Sequence, residues 1–184
     1  LGLNIKNISF TTLKEVSALG IFSMLAPLFI GCGDTVNSDR IPAYPVDINL
    51  ATPGQWATYG VGGVGLYRCF IRGQEPSNFP WLQTTSTGYG GVLLVGVDAS
   101  SLFQDGAWAY WPQAYDMACP VECLEDVRVA VDEDKFEAVC PECKSRYTLY
   151  YGGGPVEGPA VGLKYGLKVY RCVGTPTAGF HIYR

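Results

Sequence analysis

Two close cysteine pairs constrain this 184-residue chain more than any other feature. The first is Cys119-Pro120-Val121-Glu122-Cys123 and the second is Cys140-Pro141-Glu142-Cys143, with sixteen residues between them. Two cysteines on one tight turn present their sulfurs convergently, and two such turns side by side complete a tetrahedral four-sulfur set. The spacing therefore predicts a metal site built from Cys119, Cys123, Cys140 and Cys143. Thiolate-only ligation suits zinc, a mononuclear iron or an iron–sulfur cluster, and the residues do not choose among them. In an oxidising compartment the same cysteines could instead close disulfides and hold no metal. Cys69 and Cys172 are left over, each following a Tyr-Arg dipeptide on a predicted strand. They read either as a disulfide pair on neighbouring strands or as buried free thiols.

A site of this kind needs a scaffold, and the composition points to strands. Glycine (23), tyrosine (12) and proline (12) favour many short strands with tight turns over a helical bundle. Strand candidates are Val46–Leu50, 65–71, 91–97, 108–110, 127–131, 136–140, 146–151 and 164–172, the first with Val46, Ile48 and Leu50 alternating. No window carries a helical stripe beyond the N-terminal segment. Asp132-Glu133-Asp134 reads as a solvated hairpin tip, and 74–91 as an ordered loop or insertion. The aromatic residues Trp81, Trp108, Tyr110, Trp111 and Tyr115 are expected mainly in the core. The fold class expected is all-β, an antiparallel sandwich or small barrel.

Charge and histidine content narrow the function. A formal charge of −4 lacks the clustered basic face that phosphate neutralisation requires, so no nucleic-acid partner is expected. His181 is the single histidine, so no site needing two imidazoles forms within one copy. A nucleophile–base pair would have to use His181 or a carboxylate, which makes catalysis the weakest reading. Gly60-Val-Gly-Gly-Val-Gly65 lacks the Lys-Ser/Thr of a phosphate loop and reads as a flexible turn.

The N-terminal region reads as an address. The uncharged run Val16–Gly31 is shorter than the roughly 20 residues a bilayer span needs. It follows Lys6 and Lys14 and ends Leu28-Phe29-Ile30-Gly31-Cys32, which resembles a bacterial lipobox. The organisation expected is a lipoprotein signal peptide over 1–31, lipid attachment at Cys32, a flexible tether through residue 43 and a domain over 44–184. That places the protein in the bacterial cell envelope, lipid-anchored on the periplasmic side or the cell surface.

Residues 114–165 resemble the Rieske iron–sulfur domain, and more closely Rieske-like bacterial lipoproteins. The resemblance rests on Ala114-Tyr-Asp-Met-Ala-Cys119-Pro-Val, Val139-Cys140-Pro-Glu-Cys143-Lys-Ser145-Arg-Tyr147, Gly154-Pro-Val-Glu-Gly158-Pro-Ala160 and Leu163-Lys-Tyr165. It implies a Rieske-like β-domain with a small loop subdomain carrying the cysteine pairs. Cys119 and Cys140 stand at the two cysteine positions of that pattern. Val121 occupies the first histidine position and cannot ligate; Cys143 occupies the second and can. Lys144 replaces a glycine, while Ser145 and Tyr147 keep positions that hydrogen-bond to cluster sulfur in the family. The implied function is a membrane-anchored domain with a remodelled cysteine site, holding a [2Fe-2S] cluster or Zn and serving electron transfer with a redox or envelope protein partner. Four thiolates would lower the potential of such a cluster far below that of a histidine-ligated one. The acidic neighbours Glu122, Glu125, Asp126 and Glu142 act in the same sense. The alternative is a structural or interaction lipoprotein in which Zn or disulfides only pin the two loops.

Overall fold

A computed structural model describes residues 35–101 and 108–184. The expected signal peptide and the lipid-bearing Cys32 lie outside the described residues. The remainder folds as antiparallel strands in two sheets, the all-β class that the composition calls for.

The large sheet contains β1 (Val46–Leu50), β2 (Tyr67–Phe70), β3 (Ser86–Thr87), β4 (Val92–Asp98), β5 (Tyr110–Asp116), β10 (Val169–Thr175) and β11 (Gly179–Tyr183). Their order is β2-β4-β5-β10-β11-β1-β3, curled into a nearly closed barrel. The small sheet is a meander of β6 (Ala130–Asp132), β7 (Glu137–Val139), β8 (Arg146–Thr148) and β9 (Pro155–Glu157), followed by the short helix α2 (Pro159–Leu163). This module leaves the large sheet after β5 and returns at β10, and these two strands are neighbours there. The cysteine loops therefore ride on an insertion whose two ends are fixed side by side.

The strand β4 explains how the two sheets share a core. Its run of apolar residues is buried on both faces: Leu93, Val95 and Val97 face the small sheet, while Val92 and Leu94 face the barrel interior. A strand covered on both sides loses the alternation that marks a half-exposed strand. The first core also takes Tyr115, Met117, Phe136, Tyr147, Leu149 and Leu167; the second takes Ile48, Leu50, Trp56, Phe70, Phe180 and Ile182. Trp111 packs on the Phe180 ring and Trp81 edge-on against Phe79, so these two serve the core as expected; Trp56 packs on Phe180 as well.

Four features depart from the sequence reading. The helix α1 (Pro53–Tyr59) forms although no helical stripe announces it. Its signal is an N-cap with the Thr-x-x-Gln spacing: the Gln55 N–H donates to Thr52 Oγ1, whose hydroxyl donates to Gln55 Oε1, with Pro53 at the first helical position. Second, the segment taken as a flexible tether is docked from Asn37 onward. The Asn37 N–H donates to Lys164 O at 2.7 Å and its carbonyl accepts from the Gly166 N–H at 3.0 Å. Asp39 pairs with the buried Lys168 ammonium at 3.0 Å, and Ile41 is 1% exposed. Residues several positions ahead of Tyr44 are thus already packed on the domain. Third, β11 runs through Phe180 and Ile182, beyond the last strand candidate at 164–172.

Fourth, the two Tyr-Arg-Cys strands are not neighbours, because β4 and β5 lie between β2 and β10. Cys69 stands opposite Leu93 and faces the core shared with the small sheet, whereas Cys172 stands opposite Ile182 and faces the barrel interior. Three strand spacings of about 4.8 Å separate them, far beyond disulfide reach. Both are free thiols. Burial pushes Cys69 up to about 11 and Cys172 up to about 12, as expected of inert core thiols.

Candidate metal centre

Two loops meet at the site, and each is fixed by backbone hydrogen bonding. The first leaves β5 and pairs with the chain leading to β6: Val129 N–H donates to Met117 O at 2.7 Å and Cys119 N–H to Val127 O at 2.9 Å. The buried Asp116 side chain clamps its base. That carboxyl group accepts the N–H groups of Tyr89, Gly90 and Ala118 at 2.8–3.0 Å and the Tyr170 hydroxyl. The second loop is the turn from β7 to β8. Cys140 closes it by donating its N–H to Ser145 O at 2.9 Å, and its Sγ accepts the N–H groups of Cys143 and Glu142. The turn 133–136 joins β6 to β7, so Glu133 and Asp134 of the charge run lie in the hairpin turn while Asp132 ends β6.

These loops bring the Sγ atoms of Cys119, Cys140 and Cys143 within 4.8 Å of one another. Cys119 and Cys140 are fully buried, and Cys143 is half-buried at the open side. Cys119 Sγ and Cys143 Sγ are 3.6 Å apart. Metal–sulfur bonds of about 2.3 Å at tetrahedral angles place ligand sulfurs about 3.8 Å apart, so the observed spacing fits donors of one ion. A two-iron cluster divides its ligands between two centres and spreads them more widely. Among the described residues, this trio is the group of His, Cys, Asp or Glu donors that converges in this way.

Cys123 is not in the group, which corrects the four-sulfur expectation. Its N–H donates to Cys119 O at 2.8 Å in a turn, and its own backbone sits in the left-handed region at φ 54°. The side chain is thereby directed to the docked N-terminal segment, with Sγ 3.6 Å from Arg40 O. A spacing of three residues rather than two turns the second sulfur out of the first loop. Val121, lacking a donor, packs on the apolar core.

Ser145 and Tyr147 lie beside the sulfurs. Ser145 Oγ is 3.2 Å from Cys143 Sγ and accepts the Ala160 N–H at 3.1 Å. The Tyr147 hydroxyl is 3.5 Å from Cys119 Sγ. Gly158 lets α2 approach this closely: its φ is +81°, and an added Cβ would stand 2.8 Å from Ser145 Cα. The electrostatics divide the thiols. Burial pushes Cys140 up to about 12, against the two N–H groups aimed at its sulfur. Burial also acts upward on Cys143, but the hydroxyl and N–H of Ser145 and the neighbouring Cys140 and Cys119 outweigh it and hold the group below the ordinary thiol range. Tyr147 is raised by burial first and then by its contact with Cys119, so it stays a neutral donor.

The residues present can thus hold a soft or borderline cation through three thiolates. His181 takes no part; it pairs with Asp47 at 2.8 Å across β11 and β1. No helix among the described residues is long and apolar enough to cross a membrane. Comparison with protein-family models, curated proteins and solved structures returned no match.

Proposed function

We propose that this chain is a Rieske-like, lipid-anchored envelope domain whose two loops hold a single metal ion through Cys119, Cys140 and Cys143. The observation that carries the reading is the convergence of three sulfurs from two separate loops, two of them at 3.6 Å. Supporting it are the insertion of the loop module between two adjacent strands and the placement of Ser145 and Tyr147 beside the sulfurs. The lipid anchor at Cys32 is supported by the order of apolar run, Gly-Cys and polar segment in the sequence. With iron the centre would exchange electrons with an envelope redox partner; with zinc it would pin the loops and contribute folding energy.

Elemental analysis with an absorption spectrum, on protein purified without oxygen, tests the reading. One zinc or one iron per chain is expected. Two irons with stoichiometric sulfide would replace the single ion by a cluster, and no metal with the loop cysteines oxidised would leave disulfides alone. A second check is mutational. Cys140→Ser should abolish metal uptake while Cys69→Ser leaves it intact, and equal loss from both would contradict this assignment of the cysteines.

A further inference from the structure

The missing fourth sulfur leads further, on an argument that rests on the metal reading above. Cys123 is held away from the trio at every polar group it has. Its N–H is spent on Cys119 O, its carbonyl accepts the Tyr89 hydroxyl at 3.2 Å, and its Sγ lies against Arg40 O. Arg40 is itself held, with its guanidinium 5.7 Å above the Tyr165 ring and the buried Ile41 following it. Turning the Cys123 side chain toward the trio would give up its contact with Arg40 O, and the left-handed backbone at φ 54° presents it to that segment instead. The other groups near the sulfurs offer no ready substitute. Val121 is apolar, Ser145 Oγ already accepts the Ala160 N–H, the Tyr147 phenol is buried, and among the described residues no carboxylate of the acidic neighbours converges with the three sulfurs.

Closed structural sites use four protein ligands, whereas three protein ligands leave a position for a donor from solution. The half-exposed Cys143 marks the side from which such a donor would enter. We infer that the metal is held by three protein sulfurs and that its fourth position takes a small exchangeable donor, preferentially a low-molecular-weight thiol bound as thiolate. Preference for sulfur follows from the softness of an ion already carrying three thiolates. The thiol gives up its proton on binding, and no oxidant or reductant is required.

Cobalt(II) substitution tests this, because sulfur-to-cobalt charge-transfer intensity reports the number of bound thiolates. Wild-type protein and Cys123→Ser, each checked for folding by circular dichroism, should take up one cobalt with affinities within about twofold of each other and equal charge-transfer intensity per cobalt. Adding 2-mercaptoethanol should raise that intensity by about a third in both, as three sulfurs become four. Loss of about a quarter of the intensity in Cys123→Ser, or an affinity loss above about tenfold, would make Cys123 the fourth ligand and overturn the inference. A spectrum unmoved by the thiol would overturn it as well. Wild-type protein that takes up no cobalt would remove the metal reading beneath it, an outcome distinct from the other two. Cys123→Ala, which has no oxygen donor, should reproduce the serine result; an affinity loss above about tenfold in the alanine variant alone would equally overturn the inference.

Discussion

Lys144 occupies a left-handed backbone position, φ 60°, at the turn that presents Cys143. A side chain in that region costs about 1 kcal/mol relative to glycine, which is why turns of this shape favour glycine. The Lys144 ammonium recovers part of this by donating to Pro141 O at 2.5 Å. Lys144→Gly should therefore stabilise the fold by about 0.5 kcal/mol in chemical denaturation; a destabilised variant would show that the ammonium contact outweighs the backbone strain. The same turn sets the order of thiol reactivity. With metal absent, Cys143 is half-exposed and held below the ordinary thiol range, while Cys140 is buried and pushed up to about 12. Because the thiolate is the reactive form, iodoacetamide at pH 8 should alkylate Cys143 at least about tenfold faster than Cys140, Cys69 or Cys172. Peptide mass spectrometry over a time course would decide it, and early labelling of Cys140 would contradict the arrangement.

Among the elements, the small sheet is the one whose stability is set by charge. Arg146 on β8 bridges Asp132 on β6 and Glu137 on β7, with Glu157 of β9 at 3.8 Å. One guanidinium thus ties together all four strands of the meander. The hydrogen bond from Arg146 holds the Asp132 carboxyl below its ordinary 3.8. A carboxyl group depressed in the folded state stabilises above its unfolded value, and that contribution is lost as pH falls through the folded value. Amide exchange followed from pH 5 to pH 2 should accordingly show the β6–β9 amides losing protection below about pH 4, ahead of those in β1 and β11. In Arg146→Met the meander should be weaker at pH 7, and its loss of protection should no longer track that window. Simultaneous loss in both sheets of the parent protein would refute a separate acid-sensitive element.

At the scale of the molecule, the docked N-terminal segment joins the barrel to the cysteine module. Asn37 pairs with the strand-like run at Tyr165, Arg40 meets Cys123, and Asp39 neutralises the buried Lys168. A chain beginning at Tyr44, where alternation first marks a strand, loses all three contacts and the burial of Ile41. Burial of one such side chain stabilises by about 1.5–3 kcal/mol, so this truncation should be less stable than a chain starting at Thr35 by at least that amount. Urea denaturation of the two chains measures it, and equal midpoints would mean that the segment is docked without contributing. A polar stretch such as 33–40 is read as a tether because its few apolar residues show no period. What holds residues 37–41 is backbone pairing, one ion pair and one isoleucine, none of which leaves a pattern in the sequence.

The sequence by itself determined the class of the fold, since short alternating or fully apolar runs broken by glycine can bury their apolar side chains only in sheets. It also determined that Cys140 and Cys143 act together, because two intervening residues fit a single turn whose geometry is local. Tertiary structure decided the rest. Whether Cys119 joins them depends on two loops far apart in the chain being carried to one place by the sheets beneath them. Whether Cys123 joins them depends on a left-handed turn residue and on an N-terminal segment some eighty positions away. The separation of Cys69 from Cys172 was likewise settled by strand order and by the alternation of faces. Identical triplets on two strands carry no information about which strands lie between them, because pairing order is set by the burial of the whole sheet rather than by the residues it places at one position.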